Sequence, residues 1–351
     1  MENFYQILLA CGVCAPFAAA AVIVCLWPFV SARAAKGLSL VAAGVLAVVA
    51  IALWSAMGSD GAFKFATNFP LLPQFALNAV SAPLFALAGI VGFAAVWQAS
   101  IADMRGAKLY CLMLMVMLGG LAGAFASTNL IWIYAFHEFA LIPTFVAMNL
   151  WGGAGRRMAA MQMAVYLTLG ALVSLIGIIA LYAQAGAESF GLADIDVALV
   201  ANSISADWQS YIFGLLLFGL GTLVSLFPFY SWAPRAYASA PTAFAMLHAG
   251  VLKKFGLYVL IQVAYPFLAI GAADWSLTIA VLALFNVIFI GLLTMAQRDL
   301  KMMVAYSSVA HMGICFLGLA TMSVLGVGGA ILMMFGHGIS VALMLMLSTM
   351  I

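Results

Sequence analysis

Apolar stretches of about twenty residues follow one another along the whole chain, separated by short polar connections. Read for the length a helix needs to cross a hydrocarbon core, they give about eleven spans: 5–30, 38–57, 76–98, 109–126, 130–151, 158–183, 210–229, 242–265, 275–295, 303–319 and 326–351. No segment shows the regular apolar–polar alternation of a transmembrane barrel strand. The pattern predicts an all-α, polytopic membrane protein, with residues 1–351 in a single transmembrane domain and no soluble domain. The first apolar run lacks a basic leading segment and reads as a retained span. The last ends at Ile351 without a polar tail, which reads as a truncation or a split product.

Composition agrees with this reading. Of 351 residues, 68% are hydrophobic and only 6% charged, against about 25% charged residues in a soluble domain. The few charges are ordered. Connections after odd-numbered spans hold Arg33 and Lys36, Arg105 and Lys108, Arg156 and Arg157, Arg235, and Arg298 with Lys301. Those after even-numbered spans hold Lys64 as their only cation, and Asp60, Glu188, Asp194, Asp196, Asp207 and Asp274. Basic connections stay in the cytoplasm, so the N-terminus is expected outside. The absence of a basic run argues against a nucleic-acid partner, and lipid is the expected surrounding. Cys11 and Cys14 have the spacing of a redox or metal motif, but all five cysteines lie in apolar runs, where small buried residues are the simpler reading.

Against this background the ionisable residues inside the spans stand out. Lys253 and Lys254 sit within the apolar stretch 241–266. An ammonium at the bilayer centre costs roughly 2.5–3.5 kcal/mol on insertion scales. Glu138 is the one acidic residue comparably deep in a span. It lies about nine residues into its helix and Lys254 about twelve into its own, so at roughly 1.5 Å per residue both can share one depth. A static ion pair would account for them, but midmembrane ionisable groups more often mark an ion path. Adjacent helical positions point about 100° apart, so the two lysines cannot face one partner; Lys254 is the favoured path residue and Lys253 is left open.

Four histidines, His137, His248, His311 and His337, also lie in apolar surroundings, without the spacing of a helical metal site. Imidazole suits proton relay. His311 and His337 are favoured because Ser307, Ser308 and Ser340 accompany them, and His248 joins the candidate path. Ser225 and Pro228 lie at the end of a span, where a broken helix is expected, although a membrane-face cap explains the proline about as well. Trp232-Ala233-Pro234-Arg235 then reads as an interfacial anchor. The chain carries no phosphate loop, nicotinamide or flavin fingerprint, haem motif or iron–sulfur pattern, so no redox chemistry of its own is expected.

Several of these motifs resemble one family. Trp232-Ala233-Pro234, Ala240-Pro241-Thr242 and the run from Ala249 to Gly256 are similar to the core signature of the antiporter-like subunits of respiratory complex I. Asp299-Leu300-Lys301 with Ala305–Gly313, and His337-Gly338, are similar to two further signatures. The resemblance covers about residues 76–351 and is nearest to the M-type (chain 4) subunits of NADH:quinone oxidoreductase.

It implies an antiporter-like inverted-repeat fold, incomplete here: N-terminal helices over 1–108, a first repeat over 109–266, and a partial, apparently truncated second repeat over 267–351. It implies proton translocation driven by NADH-to-quinone electron transfer in partner subunits, which would hold the NADH, flavin, iron–sulfur clusters and quinone. Expected neighbours are L-type and N-type subunits, in a bacterial inner membrane. Glu138 matches the family's buried glutamate, Lys254 its central lysine, and His311 and His337 its axial histidines. Two departures accompany the match. Leu223 stands where the family has a lysine paired with the glutamate, and Tyr230 and Arg235 replace the usual histidine and aspartate of the turn. Either another cation, such as Lys253 or Lys254, then serves Glu138, or this half-channel differs. The competing implications are a subunit of a multisubunit cation/proton antiporter, a subunit of a membrane-bound hydrogenase-type complex, or a structural filler of the membrane arm.

Overall fold

A computed structural model describes residues 2–58, 63–67, 73–102 and 104–350; Asp60 and Ile351 lie outside them. Among the described residues the chain is a bundle of helices: α1 (Glu2–Cys25), α2 (Ala32–Ala56), α3 (Ser81–Ile101), α4 (Ala107–Ala126), α5 (Leu130–Trp151), α6 (Arg156–Ala185), α7 (Leu192–Ala201), α8 (Ala206–Val224), α9 (Trp232–Ser239), α10 (Thr242–Phe267), α11 (Ala269–Met295), α12 (Leu300–Ala320) and α13 (Val324–Leu347). Ten of these are long and apolar enough to cross a membrane. The eleventh expected span corresponds to α8, whose first turn carries Asp207, Gln209 and Ser210 and whose last turn stops early.

Several boundaries differ from the sequence reading by a turn or more, and two of them bear on the charged and polar residues. The span expected from residue 76 begins at Ser81, because the Asn78 side chain accepts hydrogen bonds from the backbone N–H of Val80 and Ser81 and caps the helix there. The span expected from 275 begins at Ala269, so Asp274 lies within the helix, and Leu268 alone separates α10 from α11. The acidic connection expected over 184–209 contains α7, whose Val197 and Val200 are exposed.

At the centre is α10, buried along its length against α3, α8 and α13. Glycine allows the closest crossing. A Cβ on Gly338 would come within 2.6 Å of the Gly250 carbonyl oxygen, and one on Gly250 within 3.0 Å of that of Gly338, so α10 and α13 touch backbone to backbone. Irregular turns interrupt α10: a 3₁₀ turn at Leu252–Lys254 and a π turn at Leu260–Ala264. A π turn at Asn286–Ile290 interrupts α11. Such interruptions inside helices often accompany functional positions.

Candidate ion-translocating axis

The broken helix expected near Pro228 is present. Helix α8 stops where Ser225 adopts a left-handed backbone, φ 71°. The N–H of Leu226 bonds the Gly221 carbonyl at 2.7 Å, a Schellman-type closure. Residues 225–231 form an irregular turn, and α9 resumes at Trp232. In lipid every backbone group needs a partner. The Trp232 indole N–H donates to the Thr222 carbonyl at 3.1 Å, and Asn286 from α11 supplies further bonds at the turn.

On α10, the 3₁₀ turn sends the two lysines to different places. Lys254 is fully buried; its ammonium donates to the Ala249 carbonyl and lies 3.1 Å from His337 Nδ1 on α13. The His337 ring lies 5.2 Å from that of His311 on α12. His311 Nδ1 lies 2.7 Å from the Ser307 carbonyl, which can only accept, and 3.3 Å from the Ser307 hydroxyl, so Ser307 holds this edge of the ring. His311, His337, Ser307, Ser308 and Ser340 line a cavity of about 800 Å³ between α12 and α13. The exposed side chains of Leu332 and Met344 also line it, so it reaches the molecular surface.

Lys253 is equally buried, and its ammonium has no hydrogen-bond partner among the described residues. It sits 5.4 Å from the Tyr237 ring centre, a cation–π contact. His248 packs between that ring, at 5.3 Å, and Trp232, at 5.5 Å. Lys253 and His248 therefore face α9, the second half of the broken helix, while Lys254 faces α12 and α13 by way of His337.

Glu138 does not occupy the interior as deeply as the lysines. Its side chain is 30% exposed, on a face of α5 that also exposes Phe139 and Ile142. It pairs with neither lysine. Among the described residues its ion-pair partner is His137, with Nδ1 3.4 Å from Glu138 Oε1. The His137 ring stacks on Phe255 at 4.2 Å, the residue after Lys254. A cation standing in directly for the one missing at Leu223 is thus not found in either lysine. His137 instead joins the carboxylate to α10, a position signalled in sequence only by its adjacency to Glu138.

Sequence reasoning also passed over two amides. Asn286 is fully buried at the start of the π turn of α11. Gln262, in the π turn of α10, accepts a 2.8 Å bond from Asn78. An amide in an apolar run shows no periodic signal; only its cost without partners could have marked it.

Fold and site together define a multi-pass helical membrane protein with a broken helix and a buried lysine–histidine array. Residues 127–351 match the family described as NADH:quinone oxidoreductase/Mrp antiporter, transmembrane, and the chain belongs to that family. It is 31% identical over 287 residues to NAD(P)H-quinone oxidoreductase chain 4 of Gloeobacter violaceus, covering 80% of this chain and 54% of that protein. It is 33% identical over 231 residues to NADH-quinone oxidoreductase subunit M of Rickettsia prowazekii, covering 66% and 46%. The chain thus spans about half the length of the curated relatives it matches. Its fold is similar to a chain of respiratory complex I from Thermus thermophilus (TM-score 0.83, 23% identity, covering 97% of this chain and 70% of that one). It is likewise similar to a chain of the Mrp complex from Dietzia sp. (TM-score 0.81, 19% identity, covering 97% and 63%). At these identities the structural likeness concerns the fold alone.

Proposed function

We propose that this chain is an M-type membrane-arm subunit that moves protons across a bacterial inner membrane, driven by NADH-to-quinone electron transfer in partner subunits. The observation that carries the reading is the Lys254–His337–His311 array, in which three exchangeable groups on three helices meet beside a cavity. The names of the relatives, NADH-quinone oxidoreductase subunit M and chain 4, support the choice of driving reaction. In this reading L-type and N-type subunits flank the chain. NADH, flavin, iron–sulfur clusters and quinone belong to partners, and the chain itself holds no cofactor. Residues 109–266 form a first repeat and 267–351 part of a second, after the N-terminal helices of 1–108. The N-terminus faces outward, in keeping with the charge alternation of the connections.

Glu138, Lys253 and His248 enter as groups on the α5–α9 side of α10, and Lys254, His337 and His311 as the central transfer series. The test uses inside-out membrane vesicles holding the assembled complex. NADH plus a soluble quinone is expected to acidify their lumen. Acidification in response to an imposed sodium gradient, with none on adding NADH, contradicts the reading and favours a cation/proton antiporter.

A further inference from the structure

We infer that Asn286 is a positioning residue that couples the turn of the broken helix to the helix bearing His311. This inference rests on the proton-translocating reading above. The Asn286 side chain bridges three chain segments. Its Oδ1 accepts from the Phe227 N–H at 2.7 Å, and its Nδ2 donates to the carbonyls of Ser225 at 3.0 Å and Val309 at 3.2 Å. Both N–H groups and the oxygen of the amide are therefore used, all on backbone partners. Two of the partners belong to the turn at the break, and the third lies two residues before His311 on α12.

The surroundings are built for this bridge. The N–H of Phe227 and the carbonyl of Ser225 belong to the irregular turn after the end of α8, where no regular helix bonding continues. Asn286 reaches them from the first residue of a π turn, where the helix of α11 is locally widened. Gly313 makes room on the other side: a Cβ there would lie 2.6 Å from the Asn286 Cβ and 2.8 Å from the Ala283 carbonyl oxygen. A larger residue at 313 would push α12 off the amide. A movement of the turn must break these bonds or carry α12 with it, and α12 carries one wall of the cavity that His311 and His337 line. The bridge thus links the broken helix to the histidine end of the array without being a proton-transfer group itself.

The experiment compares Asn286→Ala with Gln209→Ala in the assembled complex. Gln209 is a buried amide of similar duty far from the break, bonding the Ile204 carbonyl and the Ile270 N–H. Two readings are taken per assembled complex: proton flux, and the alkylation rate of a Met303→Cys reporter, which lies on the cavity wall of α12. The expected result for Asn286→Ala is a flux loss of roughly tenfold or more and a changed alkylation rate, since small displacements of a working group are costly. Gln209→Ala is expected to change neither reading. Unchanged flux and alkylation in Asn286→Ala, or equal changes in the two variants, overturn the inference. Should the alanine variant fail to assemble, Asn286→Gln is read by the same two criteria, because its longer amide cannot hold all three bonds at once. A wild-type complex without flux would instead contradict the pumping reading, and alkylation would still decide the coupling.

Discussion

Glu138 and His137 are neighbours in sequence and in contact, with the imidazole Nδ1 3.4 Å from the carboxylate Oε1. The Glu138 side chain is 30% exposed, but its Oε1 is buried beside the imidazole, which stacks on Phe255 next to the lysines. A partly exposed carboxylate has one side open to the surface, and its histidine gives it a contact to the interior. Glu138→Gln keeps the shape and one acceptor but cannot ionise. It is expected to cut proton flux severely with the complex assembled, as measured by flux per NADH oxidised; unchanged pumping would make the residue structural. At this scale the sequence was informative about which ionisable groups lie inside the bundle and less so about their pairing. Lys254, His311 and His337 stood out because ionisable groups in lipid are costly. Two alternatives stood for Glu138, a lysine partner or a different half-channel. Neither lysine contacts it and His137 does; sequence spacing does not say which face of α5 turns outward. Asn286 was missed since a single amide leaves the apolar pattern of its span unbroken.

The helix crossings are what bring these groups together. Gly250 and Gly338 let α10 and α13 touch, and His337 precedes Gly338, so the crossing sets the contact of Lys254 with His337. Gly338→Val is expected to force the helices apart and to lower flux per assembled complex by roughly tenfold or more. Gly328→Val, on the same helix with nothing within 4 Å of its Cβ position, is the matched control and is expected to change little. The break after α8 has its own requirement. Ser225 holds a left-handed backbone that costs a residue with a side chain about 1–2 kcal/mol. Ser225→Gly is therefore expected to assemble at least as well as wild type, and Ser225→Val less well, as read from complex yield in mild detergent. The break was signalled by Pro228, which fitted a membrane-face cap about as well. Its extent was not, because the bonds that satisfy the turn come from Trp232 and from Asn286, the latter about sixty residues downstream.

For the whole molecule, the order of the spans was legible because helix length and loop charge are both fixed by the bilayer. The centrality of α10 was legible only in part: its span is the least apolar of the ten, mean hydropathy 1.4, and it carries the two lysines, but neither signal says which helices surround it. The charge pattern makes one global prediction. Gly186 and Ala154 are both exposed, one in an acidic connection and one in a basic one. With a membrane-impermeant thiol reagent, Gly186→Cys is expected to be labelled from outside and Ala154→Cys from the cytoplasmic side. Labelling of Ala154→Cys from outside would reverse the orientation.

The central claim is that the proton passes by way of Lys254 and its histidines. Its most direct measurement is NADH-driven proton flux in vesicles for Lys254→Met and Lys253→Met, each normalised to assembled complex. Lys254 lies 3.1 Å from His337 Nδ1, whereas the Lys253 ammonium lies over the Tyr237 ring and has no hydrogen-bond partner among the described residues. The account predicts the larger loss for Lys254→Met. Equal losses, or a larger loss for Lys253→Met, would contradict it and move the path to the α9 side of the lysine helix.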